Sequence, residues 1–169
     1  MDLKSIQMIV FDVDGVLTDG SIMIDDNGVE TKRFHVRDGS GIAAAMYVGL
    51  KVGVITGRAS RVVTLRMSEL RVPYLLQHCK NKAQGLETIC VQAGVLPEHC
   101  AYLGDDLIDL PAMLRCGYRM AVRDAAKEVR DEAHFVTQAK GGHGAAREAI
   151  EHIIKAQGKW ETVLERYGI

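Results

Sequence analysis

The sequence predicts the α/β class, and three observations carry that prediction. Short apolar segments of strand length alternate with longer segments of helical spacing, the pattern of a parallel sheet covered by helices on both faces. A single β-hairpin signal interrupts the alternation directly after the first strand. Polar side chains that can do chemistry collect at the C-terminal ends of several strands, where sheets of this kind place their ligands.

Taken in order, Ile6 to Phe11 is short, apolar and partly β-branched, a buried strand. Ser21 to Ile24 and Val29 to Val36 flank Asp25-Asp26-Asn27-Gly28, and Asn-Gly between β-prone arms is a strong hairpin signal. The hairpin, about residues 20–36, is therefore an insertion. Asp38 to Tyr47 reads as a helix with a carboxylate near its start. Val52 to Ile55 is a second buried strand, followed by a helix from about Ser60 to Leu70. Tyr74 to Leu76 is a short strand and Lys82 to Gln92 a helix. Cys100 to Leu103 is a further buried strand, and Leu107 to Arg115 a helix with Pro111 in its early turn. Arg119 to Val122 and Phe135-Val136 are strands, with a short helix from Ala125 to Arg130 between them. Gly141-Gly142-His143-Gly144 breaks the chain before a helix from Ala145 to Ala156, whose apolar residues recur at helical spacing. A tail of about residues 157–169 comes last.

A chain of 169 residues fits one domain spanning 1–169, with a core of ordinary size. A net charge of −1 argues against a nucleic-acid or anionic-membrane surface, and no apolar stretch has the length of a membrane span. A strand begins within a few residues of the N-terminus, which reads as no signal peptide and a cytoplasmic location. The four cysteines, at 79, 90, 100 and 116, lack paired C-x-x-C spacing and read as free, mostly buried thiols rather than zinc ligands.

The most informative segment is Asp12-Val13-Asp14-Gly15. Carboxylates at i and i+2 of an extended chain point the same way and repel each other unless a cation lies between them. Mg²⁺ with oxygen ligands meets that need, and Gly15 permits a sharp turn. One carboxylate can attack an electrophile while its neighbour moves protons. Asp12, Asp14 and Asp105 or Asp106 form an oxygen-rich cage, with Asp109 in support. Thr56 offers a hydroxyl and a backbone N–H, and Lys82 a positive charge. A phosphoryl group needs this combination.

The strings F-D-V-D-G-V-L-T-D-G, H-V-R-D-G-S-G-I, I-T-G-R-A-S, G-D-D-L-I-D-L-P and G-G-H-G-A-A-R-E resemble the haloacid dehalogenase superfamily over nearly the whole chain. They are similar to its capless 3-deoxy-D-manno-octulosonate 8-phosphate (Kdo-8-phosphate) phosphatases. The resemblance implies a Rossmann-like sheet without a large cap domain, and a Mg²⁺-dependent phosphatase working through an aspartyl-phosphate intermediate. It implies that Kdo-8-phosphate is cleaved to Kdo and phosphate in lipopolysaccharide precursor synthesis, by a homotetramer built on the hairpin. By position, Asp12 matches the nucleophile and Asp14 the general acid/base that also gives its backbone carbonyl to the metal. Thr56 matches the phosphate-binding threonine, Lys82 the lysine of the third motif with Lys80 as competitor, and Asp105 the metal acid, supported by Asp106 and Asp109. Gly15, Gly57, Arg58, Arg66 and Arg147 are the expected substrate-binding positions. Arg58 favours octulosonates, because nonulosonate 9-phosphate phosphatases resemble this chain but carry an acidic residue there. His143 departs from the expected pattern of its string. The Gly-rich segment is expected to give the tail enough reach to cover a neighbouring subunit's site.

Three other readings compete. One is a phosphatase for nonulosonate 9-phosphates. Another is a non-catalytic, phosphatase-like partner of a sugar-nucleotide synthetase, which the intact Asp12/Asp14 pair disfavours. The third is a phospho-accepting receiver domain, disfavoured because its phosphorylated Asp follows a middle strand rather than the first.

Overall fold

The computed structural model describes residues 3–169. Its strands are β1 (Met8–Phe11), β2 (Met23–Ile24), β3 (Glu30–Thr31), β4 (Lys51–Ile55), β5 (Tyr74–Leu76), β6 (Cys100–Gly104), β7 (Tyr118–Ala121) and β8 (Phe135–Val136). Its α-helices are α1 (Val36–Tyr47), α2 (Arg61–Glu69), α3 (Lys82–Ala93), α4 (Leu110–Met113), α5 (Lys127–Glu132), α6 (Ala145–Ala156) and α7 (Trp160–Glu165). Six strands form one parallel sheet in the order β5-β4-β1-β6-β7-β8, and β2 and β3 form a separate antiparallel ribbon. The expected fold class is the observed one.

The sequence explains why β1 is central. All four of its residues are apolar and fully buried, so the strand needs cover on both faces and a neighbour on both edges. It pairs with β4 on one side and β6 on the other, and α1 packs with α6 while α3 packs with α4 to supply the cover. The chain runs outward from β1 through β4 to β5, then returns to start again at β6, which makes the end of β1 a topological switch point. Phe11 lies level with Val54 and Leu103, so Asp12, Thr56 and Asp105 emerge from three adjacent strands within about one residue of each other.

Several expectations shift at their edges. The hairpin arms pair over only two residues each, less than the expected arms, and Ile22, Ile24, Val29 and Val36 stay exposed. The helix expected over Leu107 to Arg115 is split. Leu107–Asp109 is a 3₁₀ turn capped by Asp106, and α4 then begins beside Pro111.

The Gly-rich segment departs from the expectation that it extends the tail. Gly142 donates its N–H to the Val16 carbonyl (2.9 Å), and Gly141 donates to Asp124 Oδ1 (3.0 Å). The backbone here lies so close to the Asp14–Asp19 turn that a Cβ on Gly141 would stand 1.7 Å from the Gly15 carbonyl oxygen. These glycines serve close approach rather than reach. The tail also packs on its own chain. Val163 of α7 is buried, Arg166 lies over Tyr47 of α1, and Gln157 donates to the Leu3 and Ile6 carbonyls.

Two of the motif strings meet at the start of α6. Gly144 has no side chain to cap this helix, and Asp38 of α1 takes that role by accepting the Arg147 N–H (2.8 Å). Glu148 in turn accepts the N–H groups of Gln138 and Ala139. Gly141→Ala is expected to destabilise the fold by about 1–3 kcal/mol through overpacking against the Gly15 peptide, read as a lowered Tm.

Candidate active site

Asp12 leaves the C-terminal end of β1 buried, and its Oδ1 lies 2.8 Å from Lys82 Nζ. Lys82 opens α3 behind the Asn81 N-cap and is itself buried, whereas Lys80 is exposed. The ammonium also pairs with Asp109 Oδ1 at 2.7 Å. Asp109 is saturated: Oδ1 additionally accepts the Tyr102 hydroxyl (2.8 Å), and Oδ2 accepts the N–H groups of Asp105 (3.0 Å) and Asp106 (3.3 Å). Its fully buried carboxylate therefore orients Lys82 and the Asp105 turn and has no oxygen to spare. Asp106 caps the 3₁₀ turn with an exposed side chain.

Ligand oxygens of Asp12, Asp105 and Asp109 lie within 4.8 Å of one another. Burial, then the Asp109 charge, pushes the Asp12 carboxyl up to about 7 in spite of Lys82. Burial and the charges of Asp109 and Asp12 push Asp105 up to about 8. Burial pulls the Lys82 ammonium down, but Asp109 and Asp12 outweigh it and hold it above the usual lysine range. One lysine does not balance three buried carboxylates. Asp105 Oδ1 is, moreover, buried without a hydrogen-bond partner. An unpartnered buried oxygen beside a second carboxylate is the donor set a divalent cation fits, and with Asp109 saturated the free oxygens belong to Asp12 and Asp105. Gly15 lets the turn close over this point, since a Cβ there would stand 2.0 Å from Asp105 Oδ2.

Asp14 lies at the rim, half-buried. Its Oδ1 is 2.5 Å from Lys32 Nζ, and its Oδ2 is 3.9 Å from Arg58 Nε. Thr56 is buried at the end of β4, but its N–H already donates to the Leu76 carbonyl (2.9 Å), so only its hydroxyl is available. The expectation of an available Thr56 N–H is corrected accordingly. The next N–H, that of Gly57, has no acceptor among the described residues and is free to donate.

Residues 74–148 match the haloacid dehalogenase-like hydrolase family. The chain is 41% identical over 156 residues to the 3-deoxy-D-manno-octulosonate 8-phosphate phosphatase of Escherichia coli K12, covering 92% of this chain and 83% of that protein. The chain belongs to the Kdo-8-phosphate phosphatase family. Among solved structures, the family's Moraxella catarrhalis phosphatase, in complex with a magnesium ion, a phosphate ion and a KDO molecule, matches with a TM-score of 0.95 and 36% identity over 98% of this chain and 95% of that one. The cobalt-bound phosphatase of Haemophilus influenzae matches with a TM-score of 0.91 and 41% identity over 94% and 93% of the two chains.

For a member of the Kdo-8-phosphate phosphatase family, the structure gathers Asp12, Asp14, Gly15, Thr56, Gly57, Arg58, Lys82, Asp105 and Asp109 around one strand-end crevice. Arg66 and Arg147 are not brought to these carboxylates. Arg66 pairs with Glu69 (2.7 Å) and packs over Gly39, while Arg147 pairs with Glu151 (2.6 Å) and lies over Trp160. Sequence reasoning missed Lys32, Glu30, Ser60 and Tyr102. For the first two a signal existed: they lie two apart on one hairpin arm and so share a face. Nothing local marks Tyr102, which is read only as a core aromatic.

Asp109→Ala is expected to cost about 3–5 kcal/mol, because it leaves Lys82 and the Tyr102 hydroxyl buried without their acceptor. Asp105→Ala is expected to leave Tm within a few degrees in metal-free buffer and to abolish Mg²⁺ binding. Denaturation and calorimetric titration of both variants check the contrast.

Proposed function

We propose that this chain is a Mg²⁺-dependent phosphatase that hydrolyses Kdo-8-phosphate to Kdo and inorganic phosphate, a step of lipopolysaccharide precursor synthesis. The observation that carries the reading is the buried Asp12, held by Lys82 beside the unpartnered Asp105 oxygen, in a chain so similar to named Kdo-8-phosphate phosphatases. Mg²⁺ held by Asp12, Asp105 and the Asp14 backbone carbonyl would offset the negative charge of the phosphoryl group.

The side chains then divide the work. An Asp12 carboxylate oxygen attacks phosphorus in line, and the bond from phosphorus to the sugar oxygen breaks. Asp14 gives its proton to the leaving alkoxide. A water molecule attacks the resulting acyl phosphate and passes its proton to Asp14, releasing phosphate and restoring the Asp12 carboxylate. Lys82, the Thr56 hydroxyl and the Gly57 N–H offset and orient the non-bridging oxygens. Arg58, partly exposed beside Asp14, would meet the sugar's own carboxylate.

Asp12→Asn, whose amide cannot form the acyl phosphate, is expected to lose more than about 10³-fold in kcat with its Tm retained. The substrate assignment is tested with Mg²⁺ and a panel of Kdo-8-phosphate, nonulosonate 9-phosphates and hexose phosphates. Kdo-8-phosphate should give the highest kcat/KM, and a nonulosonate 9-phosphate in first place would overturn the assignment.

Assembly belongs to the same reading. A ribbon of two-residue strands is marginal alone, yet Ile22, Ile24 and Val29 are each more than half exposed. Self-association through the hairpin into a homotetramer would cover them. Light scattering at micromolar concentration should give a mass near four chains, and a monomer would refute this. Among the described residues no helix is long and apolar enough to cross a membrane, and we place the enzyme in the cytoplasm.

A further inference from the structure

The hairpin is tied to the body of the protein by charge. Glu30 accepts from Arg58 Nη2 (3.0 Å) and from the Ser60 hydroxyl, and its Oε1 lies 3.5 Å from Lys32 Nζ. The Ser60 hydroxyl also accepts the Val63 N–H as the N-cap of α2, so Glu30 is held by a rigid helix start. Lys32 continues the same arm two residues on. Its side chain is 1% exposed, and its ammonium ends on Asp14 Oδ1.

An ammonium this deep on a short hairpin is costly unless its position does something. Its effect on Asp14 is specific. One carboxylate oxygen, Oδ1, is fixed by Lys32. The other, Oδ2, has no hydrogen bond among the described residues, since Arg58 Nε at 3.9 Å is beyond that range. The Asp14 side chain is 22% exposed, whereas those of Asp12 and Lys82 are buried. A carboxyl with one oxygen anchored carries its proton on the other, and here that oxygen is the one without a hydrogen bond on a partly exposed side chain.

We propose that Lys32 is a positioning residue for the general acid: carried in by the hairpin and steadied by Glu30, it fixes Asp14 Oδ1 so that Oδ2 delivers the proton to the departing alkoxide. The inference rests on the phosphatase reading, not on the identity of the sugar. In the step it serves, the Asp14 Oδ2–H bond breaks, the proton goes to the bridging oxygen, and the electron pair of the breaking P–O bond stays on that oxygen. The hairpin thereby gives the site in cis a part that the strand ends do not contain.

The test is a leaving-group comparison. A sugar alkoxide needs the proton as it leaves, whereas p-nitrophenolate leaves without it. The ratio of kcat/KM for Kdo-8-phosphate to that for p-nitrophenyl phosphate reports on proton delivery in the first chemical step. In Lys32→Met, which keeps most of the buried stem, this ratio should fall about tenfold or more, a fraction of the roughly 10²–10⁴-fold that general acid catalysis supplies. The inhibition constant of free Kdo should stay within about threefold of wild type. Glu30→Gln, which loosens the anchor from outside, should shift the ratio in the same direction by a smaller factor, and it serves if Lys32→Met does not fold. An unchanged ratio with both activities lowered would make Lys32 merely structural and overturn the proposal. A rise in the Kdo inhibition constant matching the loss would make Lys32 a substrate contact and overturn it as well. A wild-type enzyme inactive on both phosphates would instead sink the phosphatase reading itself.

Discussion

Everything at this site depends on how three carboxylates share one strand-end crevice. Asp12, Asp105 and Asp109 are brought together by a sheet register that admits little freedom, since β1 is fully buried and paired on both edges. Mutual repulsion in a buried setting would break such a group apart, and the protein answers in two ways. Lys82 bridges Asp12 and Asp109 from below. Asp109 is then neutralised further by a tyrosine hydroxyl and two backbone N–H groups, which takes it out of the chemistry. That leaves a pair, Asp12 and Asp105, with raised proton affinity and one unpartnered oxygen. The same imbalance that invites a divalent cation leaves Asp12 as the carboxylate next to it, where a phosphoryl group would arrive with negative charge of its own.

The surrounding chain exists to hold that geometry. The Asp14–Asp19 turn is pressed between the Asp105 turn and the Gly141–Gly142 backbone, with no room for a Cβ at either contact. The Gly-rich segment is in turn fixed by the start of α6, because Asp38 caps that helix and its Glu148 ties back to the chain before the glycines. Burial pushes the Asp38 carboxyl up, and the N–H groups at the start of α6 offset part of that. A contact far along the chain thus steadies the turn that follows Asp12 and begins with Asp14.

The sheet and most of the acids were legible in the sequence, for a physical reason. Parallel strands covered on both faces must be continuous apolar runs, and Met8–Phe11, Val52–Ile55 and Cys100–Leu103 are such runs. Carboxylates at the ends of the first and the last of these have no reason to be there unless the strand ends do chemistry. The features that escaped reading depend on tertiary distance. Asp109 was legible as a helper, but its saturation by Tyr102 needs the β6 side chain to face it. Arg66 and Arg147 are cations of the right kind at plausible spacing, yet Glu69 and Glu151 on their own helices pair with them. The glycines at 141 and 142 read as flexibility because a sequence does not show what stands opposite a missing side chain.

The hairpin is the clearest case of one pattern with two meanings. Its apolar residues were legible and led to an expectation about assembly, while its charged residues drew no notice because exposed charges on a ribbon are ordinary. Glu30 and Lys32 turn their charges to Arg58, Ser60 and Asp14, while Ile24, which stands opposite Glu30 in the ribbon, is left exposed together with Ile22 and Val29. The ribbon's own pairing is too short to hold it in place, so ion pairs and a serine at the start of α2 anchor it instead. An element held by two charged residues and carrying exposed apolar ones is open to constraint twice over. Covering those apolar residues would steady the ribbon and with it Lys32 against Asp14, so assembly and proton delivery would be coupled through the same short element.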